Sequence, residues 1–234
     1  MLTVALGGVG LGTAPATAGV SAGRGPVAYV LAEKGLTTIR TTTNTASRLI
    51  RLPSGVINGH IVITPNGATA YVDVDEPAGV VYPVSTATRK VGQPIKVGDF
   101  PDGMAITPNG KTLYVANINS GTVTPISTAT NTAGKPIAVG NGPWAIAITP
   151  DGRTAYVASF ESGTVTPINI ATNTAGRQIS VGKGAWAIAI SPNGRTAYAV
   201  SYETSTVTPI STTTSTAGTP IKVGLHPFAI AITP

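Results

Sequence analysis

A tyrosine recurs through this chain at nearly constant spacing. Tyr29, Tyr71, Tyr114, Tyr156 and Tyr198 are separated by 42, 43, 42 and 42 residues. A chain that restates itself at this period is an array of one supersecondary unit, whose members bury their apolar faces against each other. Ahead of four of the tyrosines stands an almost fixed text: ITPNGATAYV, ITPNGKTLYV, ITPDGRTAYV and ISPNGRTAYAV. Asn-Gly or Asp-Gly between two apolar runs is a strong hairpin signal. The glycines Gly67, Gly110, Gly152 and Gly194 supply the positive φ that such a turn needs.

Each unit parses into four strands. In the third full unit these are strand a at 145–150, b at 154–159, c at 163–170 and d at 177–182. Both sides of strand a are apolar, as expected where sheets pack face to face around an axis. Four antiparallel strands in about 42 residues is the size of one propeller blade. The spacing therefore predicts an all-β chain, a β-propeller of about five four-stranded antiparallel blades. Composition agrees: 28 Gly, 19 Pro and 36 Thr with only 10% charged residues disfavour helix. Pro83, Pro125, Pro167 and Pro209 recur inside strand c, where each must sit at a bulge or where its nitrogen faces no neighbour.

The repeat region begins on strand b (GPVAYV, 25–30) and ends on strand a (AIAITP, 229–234). Residues 25–234 form one propeller domain, with the ring closed by the C-terminal strand a pairing with the N-terminal strands. That closure would remove two aggregation-prone edges and leave a monomer. An arc of a larger ring is the alternative, and an unclosed arc predicts an oligomer.

Residues 1–24 read differently. An apolar stretch at 2–12 runs into small residues that fit A-x-A cleavage after Ala18 or Ala22, although no Lys or Arg precedes it. This segment is expected to be a signal peptide or a disordered tail, which places the protein outside the cell or on its surface. No apolar run is long enough for a transmembrane helix. The absence of Cys excludes a disulfide framework, a thiol nucleophile and a zinc–thiolate site.

The text resembles the YVTN β-propeller repeat family. The matching strings are WAIAITPDGRTAYVAS (144–159), TPINIATNTAG (166–176) and QISVG (178–182), with VGNGPWAIAITP (139–150) matching especially well. The resemblance implies a propeller and an extracytoplasmic location. It implies no single activity, since relatives include surface-layer-like and binding proteins and distant relatives include lactonases and dehydrogenases. Many relatives carry seven blades, and this chain offers five.

In a propeller the d–a and b–c loops share the face around the axial channel. The residues opening strand a there are Gly59, Asp102, Trp144, Trp186 and Phe228. The b–c loops add Phe160 with Glu161, and Tyr202 with Glu203. Aromatic rings beside carboxylates bind sugars by stacking or cations through ring faces. The same rings also serve as wedges between blades. Elsewhere on this face ring closure would bring together the two histidines, His60 and His226, beside Asp102 and Asp99, with Glu33, Asp75 and Glu76 in nearby loops. Imidazoles with carboxylates suit acid–base chemistry or a divalent metal, but the spacing is no local metal motif.

The opposite face carries Lys111, Arg153 and Arg195, with Arg89, Lys90, Lys135 and Arg177 at its c–d region. This basic rim suits anionic polymers, or serves only solubility. It lacks the interleaved aromatics of a specific nucleic-acid site. The sequence thus favours a secreted binding or scaffold module whose partner is a carbohydrate, a peptide or a cell-envelope polymer. The alternatives are a lactonase-like hydrolase or lyase with a His/Asp site at the channel mouth, and a structural cell-surface component. No cofactor is called for.

Overall fold

The computed structural model describes residues 26–53, 59–74 and 79–233. The segment read as a leader, together with Asp75 and Glu76, lies outside them. The described chain is all-β, with five antiparallel sheets of four or five strands and no helix.

The fourth sheet shows the plan. Its inner strand, Pro143–Ile148, pairs with Thr154–Ser159, which pairs with Thr164–Asn169. The outer strand is two fragments, Thr174–Ala175 and Ile179–Ser180, both pairing with Thr164–Asn169. The expected strand b is matched at both ends. Strand a begins two residues earlier than expected, and strand d is broken. The break has a physical cause. The outer fragments pair with Val165 and Ile168 but lapse opposite Thr166 and Pro167. Proline has no N–H to offer a ladder. Its carbonyl instead accepts a hydrogen bond from Gly176 N at 2.7 Å, and the same Pro–Gly contact recurs at Pro83, Pro125 and Pro209.

The a–b turns are fixed by side chains as well as glycine. Thr149 Oγ1 donates to Asp151 Oδ1 at 2.6 Å, and Asp151 Oδ1 also accepts from Arg153 N. Asn66, Asn109 and Asn193 repeat this arrangement with Thr64, Thr107 and Ser191. Such Asx turns explain why the text before each tyrosine hardly varies.

Apolar clusters lie between successive sheets. Tyr156, Ala158 and Val165 of the fourth sheet pack on Ile188, Ala197 and Ile210 of the fifth. Equivalent clusters join the first to the second, the second to the third, and the third to the fourth. Tyr71, Tyr114 and Tyr156 are fully buried in them. The last two sheets' tyrosines are not equal in this respect, since Tyr198 is only half-buried.

The ring closure expected from the sequence is not made in this structure. Residues 229–233 belong to no strand, and among the described residues the first sheet has no inner strand beside Val27–Ala32. Val27 and Val30 are accordingly 39% and 45% exposed, and Leu225 and Phe228 at the other end are 85% and 52% exposed. The five sheets have a β-propeller-like arrangement with unpaired ends.

Candidate ligand-binding face

The residues that open the inner strands are placed by β-bulges. In the fourth sheet Pro143 pairs with Ser159 and Ala145 with Ala158, so Trp144 is the extra residue. Trp186 is the extra residue of the fifth sheet in the same way. In the third, Pro101 pairs with Asn117 and Met104 with Val115, which leaves Asp102 and Gly103 opposite Ala116 alone. A bulge turns a side chain off the regular pleat. Here it turns Asp102, Trp144 and Trp186 towards the neighbouring inner strands.

Five rings run on from there. Trp144 and Trp186 lie 4.6 Å apart between ring centres. Phe160 packs edge-on to Trp186 at 5.5 Å and lies 6.2 Å from Trp144. Trp186 meets Tyr202 at 5.6 Å, and Tyr202 stacks on His226 at 4.7 Å with 22° between planes. Trp144, Phe160, Trp186 and Tyr202 are half-buried, and His226 is exposed. The rings therefore wedge adjacent sheets together and keep part of their surface exposed. Trp144 Nε1 and Trp186 Nε1 are both buried without a hydrogen-bond acceptor among the described residues. Such orphaned donors are uncommon. Phe228, the last residue of this series, makes no ring contact with the others.

A polar cleft of about 340 Å3 adjoins the rings, lined by Asn119, Ser120, Gly121, Asn141, Gly142 and Glu161. The side chains of Asn119, Asn141 and Glu161 have no hydrogen-bond partner among the described residues. Glu203 is exposed.

A charged cluster occupies the second and third sheets. His60 Nδ1 lies 2.7 Å from Asp102 Oδ1 and 3.6 Å from Asp73 Oδ2. The His60 backbone N–H also donates to Asp73 Oδ1. Asp73 is fully buried, and Asp102 nearly so. Burial disfavours a charged imidazole, but Asp102 and Asp73 outweigh it and raise the His60 pKa to about 10. Burial raises the Asp73 pKa to about 6, against the opposing pull of His60. His60 is thus an imidazolium held between carboxylates near neutral pH.

The sequence reading paired His60 with Asp102, and the structure brings them together. It pairs His60 with His226 no further: the contacts of His226 are to Tyr202 and to Ser205 Oγ. That proximity required the ring closure that is absent here. Asp99 and Glu33 are exposed and stand apart from the cluster. Among the described residues no group of three or more His, Asp or Glu side chains is arranged to hold a metal ion.

Asp73 escaped the sequence reading, although a signal was present. In the repeat, Ala116, Ala158 and Val200 stand in its place, and Gly103, Ala145 and Ala187 stand in the place of His60. Two small-residue columns depart together in a single sheet, where their occupants meet.

No protein-family model matches this sequence, and no curated protein is significantly similar to it. Similarity to solved structures is extensive. Hydrazine synthase of Kuenenia stuttgartiensis matches with a TM-score of 0.65 and 29% identity over 69% of this chain. A functionally unknown protein from Desulfotomaculum acetoxidans DSM 771 matches with a TM-score of 0.69 and 22% identity over 85% of this chain. The chain spans 47% and 65% of the lengths of these two proteins. The second likeness concerns fold alone. Together with the five sheets, these matches support a propeller-type fold.

Proposed function

We propose that this chain is a secreted or cell-surface binding module of the YVTN propeller type, and that it takes carbohydrate on the face carrying Trp144, Phe160, Trp186 and Tyr202. The observation that carries this reading is the junction of aromatic edges with the polar cleft at Glu161. Sugars present C–H faces that pack on aromatic rings and hydroxyls that bond planar polar groups. Asn119, Asn141 and Glu161 supply such groups unspent. Closure of the ring by residues 229–233 belongs to the same reading, since it makes the face continuous around the channel.

An acid–base enzyme at the channel mouth finds less support. His60 is held charged by two carboxylates and so has no lone pair to act as a base near neutral pH. The chemistry of hydrazine synthase is not carried over from a likeness that spans 47% of that protein.

The test is a panel of neutral oligosaccharides titrated against the protein, read by tryptophan fluorescence and calorimetry. Binding that weakens at least tenfold in Glu161→Gln and in Tyr202→Ala, with folding retained, is the expected result. Absence of any oligosaccharide response, or affinities untouched by both variants, would overturn the proposal.

A further inference from the structure

The first and second sheets meet along an open cleft of about 730 Å3. Leu49, Ile50 and Val91 line it together with Arg48, Arg51 and Arg89, and among the described residues no carboxylate does. None of these arginines forms an ion pair among the described residues.

Arg89 has the most unusual position. Its φ is +60°, in a turn where the other units place Asn44, Asn131, Asn173 and Ser215 at φ from 51° to 55°. Asparagine tolerates this left-handed region and arginine has no such aptitude. Asn131 and Asn173 use the turn to accept a bond from Tyr71 and Tyr114. Arginine accepts nothing. Arg89 instead reaches into the first sheet, where Nη2 donates to Ser47 Oγ at 2.9 Å and to the Arg48 carbonyl. Those bonds fix the plane of the guanidinium. Its Nε and Nη1 donors have no partner among the described residues.

We propose that this cleft is a binding site for phosphate-bearing anions, separate from the aromatic face. Held by those bonds, Arg89 keeps Nε and Nη1 to donate charge-assisted bonds to phosphate oxygens, singly rather than as a fork. Two further arginines along the same cleft, Arg48 and Arg51, favour a ligand with more than one negative charge. The departure from the repeat at Arg89 then has a purpose that Asn at that position would not serve.

The probe is inorganic pyrophosphate, titrated calorimetrically at low ionic strength. One equivalent is expected to bind, with affinity reduced at least tenfold in Arg51→Gln and in Arg89→Asn. Arg89→Asn restores the residue that suits the turn, so its thermal midpoint should not fall by more than a few degrees. Arg153→Gln is the control, since Arg153 is exposed beside Asp151 on the rim, and a change under twofold is expected there. No pyrophosphate binding at millimolar concentration would overturn the proposal. So would an Arg153→Gln loss equal to that of Arg51→Gln, which marks diffuse charge, or unchanged affinity in Arg89→Asn, which marks Arg89 as a strut alone. A poly(glycerol phosphate) chain is then added as competitor. Displacement of pyrophosphate identifies an envelope phosphodiester as the source of the anion, and retention identifies a free oligophosphate; both outcomes presuppose the site.

Discussion

Tyr114 Oη donates to Asn173 Oδ1 at 2.6 Å, tying the third sheet to the turn of the fourth. Tyr71 does the same to Asn131 at 2.7 Å, and Tyr156 reaches Ser215 Oγ and the Thr212 carbonyl at 3.3 Å. The repeated tyrosine is therefore both core and latch. Its ring fills the space between sheets, and its hydroxyl reads the next unit's left-handed turn residue. Burial raises the Tyr114 pKa to about 12, so this hydroxyl stays a donor throughout the neutral range.

Removing the latch at one end should be measurable. Tyr114→Phe keeps the ring and deletes the donor, at a cost of about 1 kcal/mol. Asn173→Ala deletes the acceptor and also places a Cβ-branch-free but left-handed-averse residue at φ 54°, so it should cost about 2 kcal/mol. Urea denaturation of the two single variants and the double variant checks this. The double variant should lose less than the sum, because both changes remove one bond.

The His60 cluster makes stability depend on pH with a definite sign. The folded pKa of His60 is raised from 6.5 to about 10, so the folded state holds its proton where the unfolded chain releases it. That stabilisation is complete below pH 6.5 and is lost as pH rises towards 10. The Asp73 pKa is likewise raised, from 3.8 to about 6, so its contribution also declines as pH rises, between those values. Both groups work in one direction. Unfolding free energy should fall by on the order of 2 to 4 kcal/mol between pH 6.5 and 10. Urea midpoints across this range test it, and in His60→Gln most of the slope should vanish.

Gly103 marks a close approach of the third and fourth inner strands. A Cβ there would lie 2.3 Å from the Trp144 carbonyl oxygen and 3.1 Å from Ala145 Cα. Backbone on both sides leaves no flexible group to give way. Gly103→Ala should therefore cost about 2 kcal/mol or more. Because the clash falls on Trp144, its fluorescence maximum should shift in the folded variant. A variant of wild-type stability and spectrum would show that the inner strands are further apart than described.

Much of the fold was legible because the repeat averages over its own exceptions. The tyrosine column, the Asx turn and the strand-c proline each recur several times, so each carries its own physical reason for recurring. The broken outer strand was less legible, since the lapse opposite Pro167 depends on which side of strand c its nitrogen faces. For the site, composition singled out His60 because histidine is rare here, and strand position singled out Asp102 and the tryptophans. Asp73 was hidden by an ordinary-looking strand, and only column-by-column comparison with Ala116 and Ala158 exposes it. The bulges that aim Trp144 and Trp186 have no local signature in the text at all.

The unpaired ends give the sharpest remaining prediction. Residues 229–233 read AIAIT, identical to 145–149, which form most of the fourth inner strand. In that sheet Ile146 pairs with Val157 and Ala147 with Tyr156. Carried over to the first sheet, the register sets Ile230 opposite Val30 and Ala231 opposite Tyr29. It would cover Val30, now 45% exposed where Val72, Val115 and Val157 are fully buried. It would also bring half-buried Tyr198 towards Asn44, whose φ of 51° already matches the latch geometry of Asn131 and Asn173. The chain has no cysteine, so the double variant Val30→Cys with Ile230→Cys reports this pairing without competition. After mild oxidation it should run as a disulfide-linked monomer on a non-reducing gel, with a raised thermal midpoint. A disulfide-linked dimer would instead mean that one copy's strand completes the first sheet of another. Free thiols under oxidising conditions would mean that the two ends stay apart, as they are placed here.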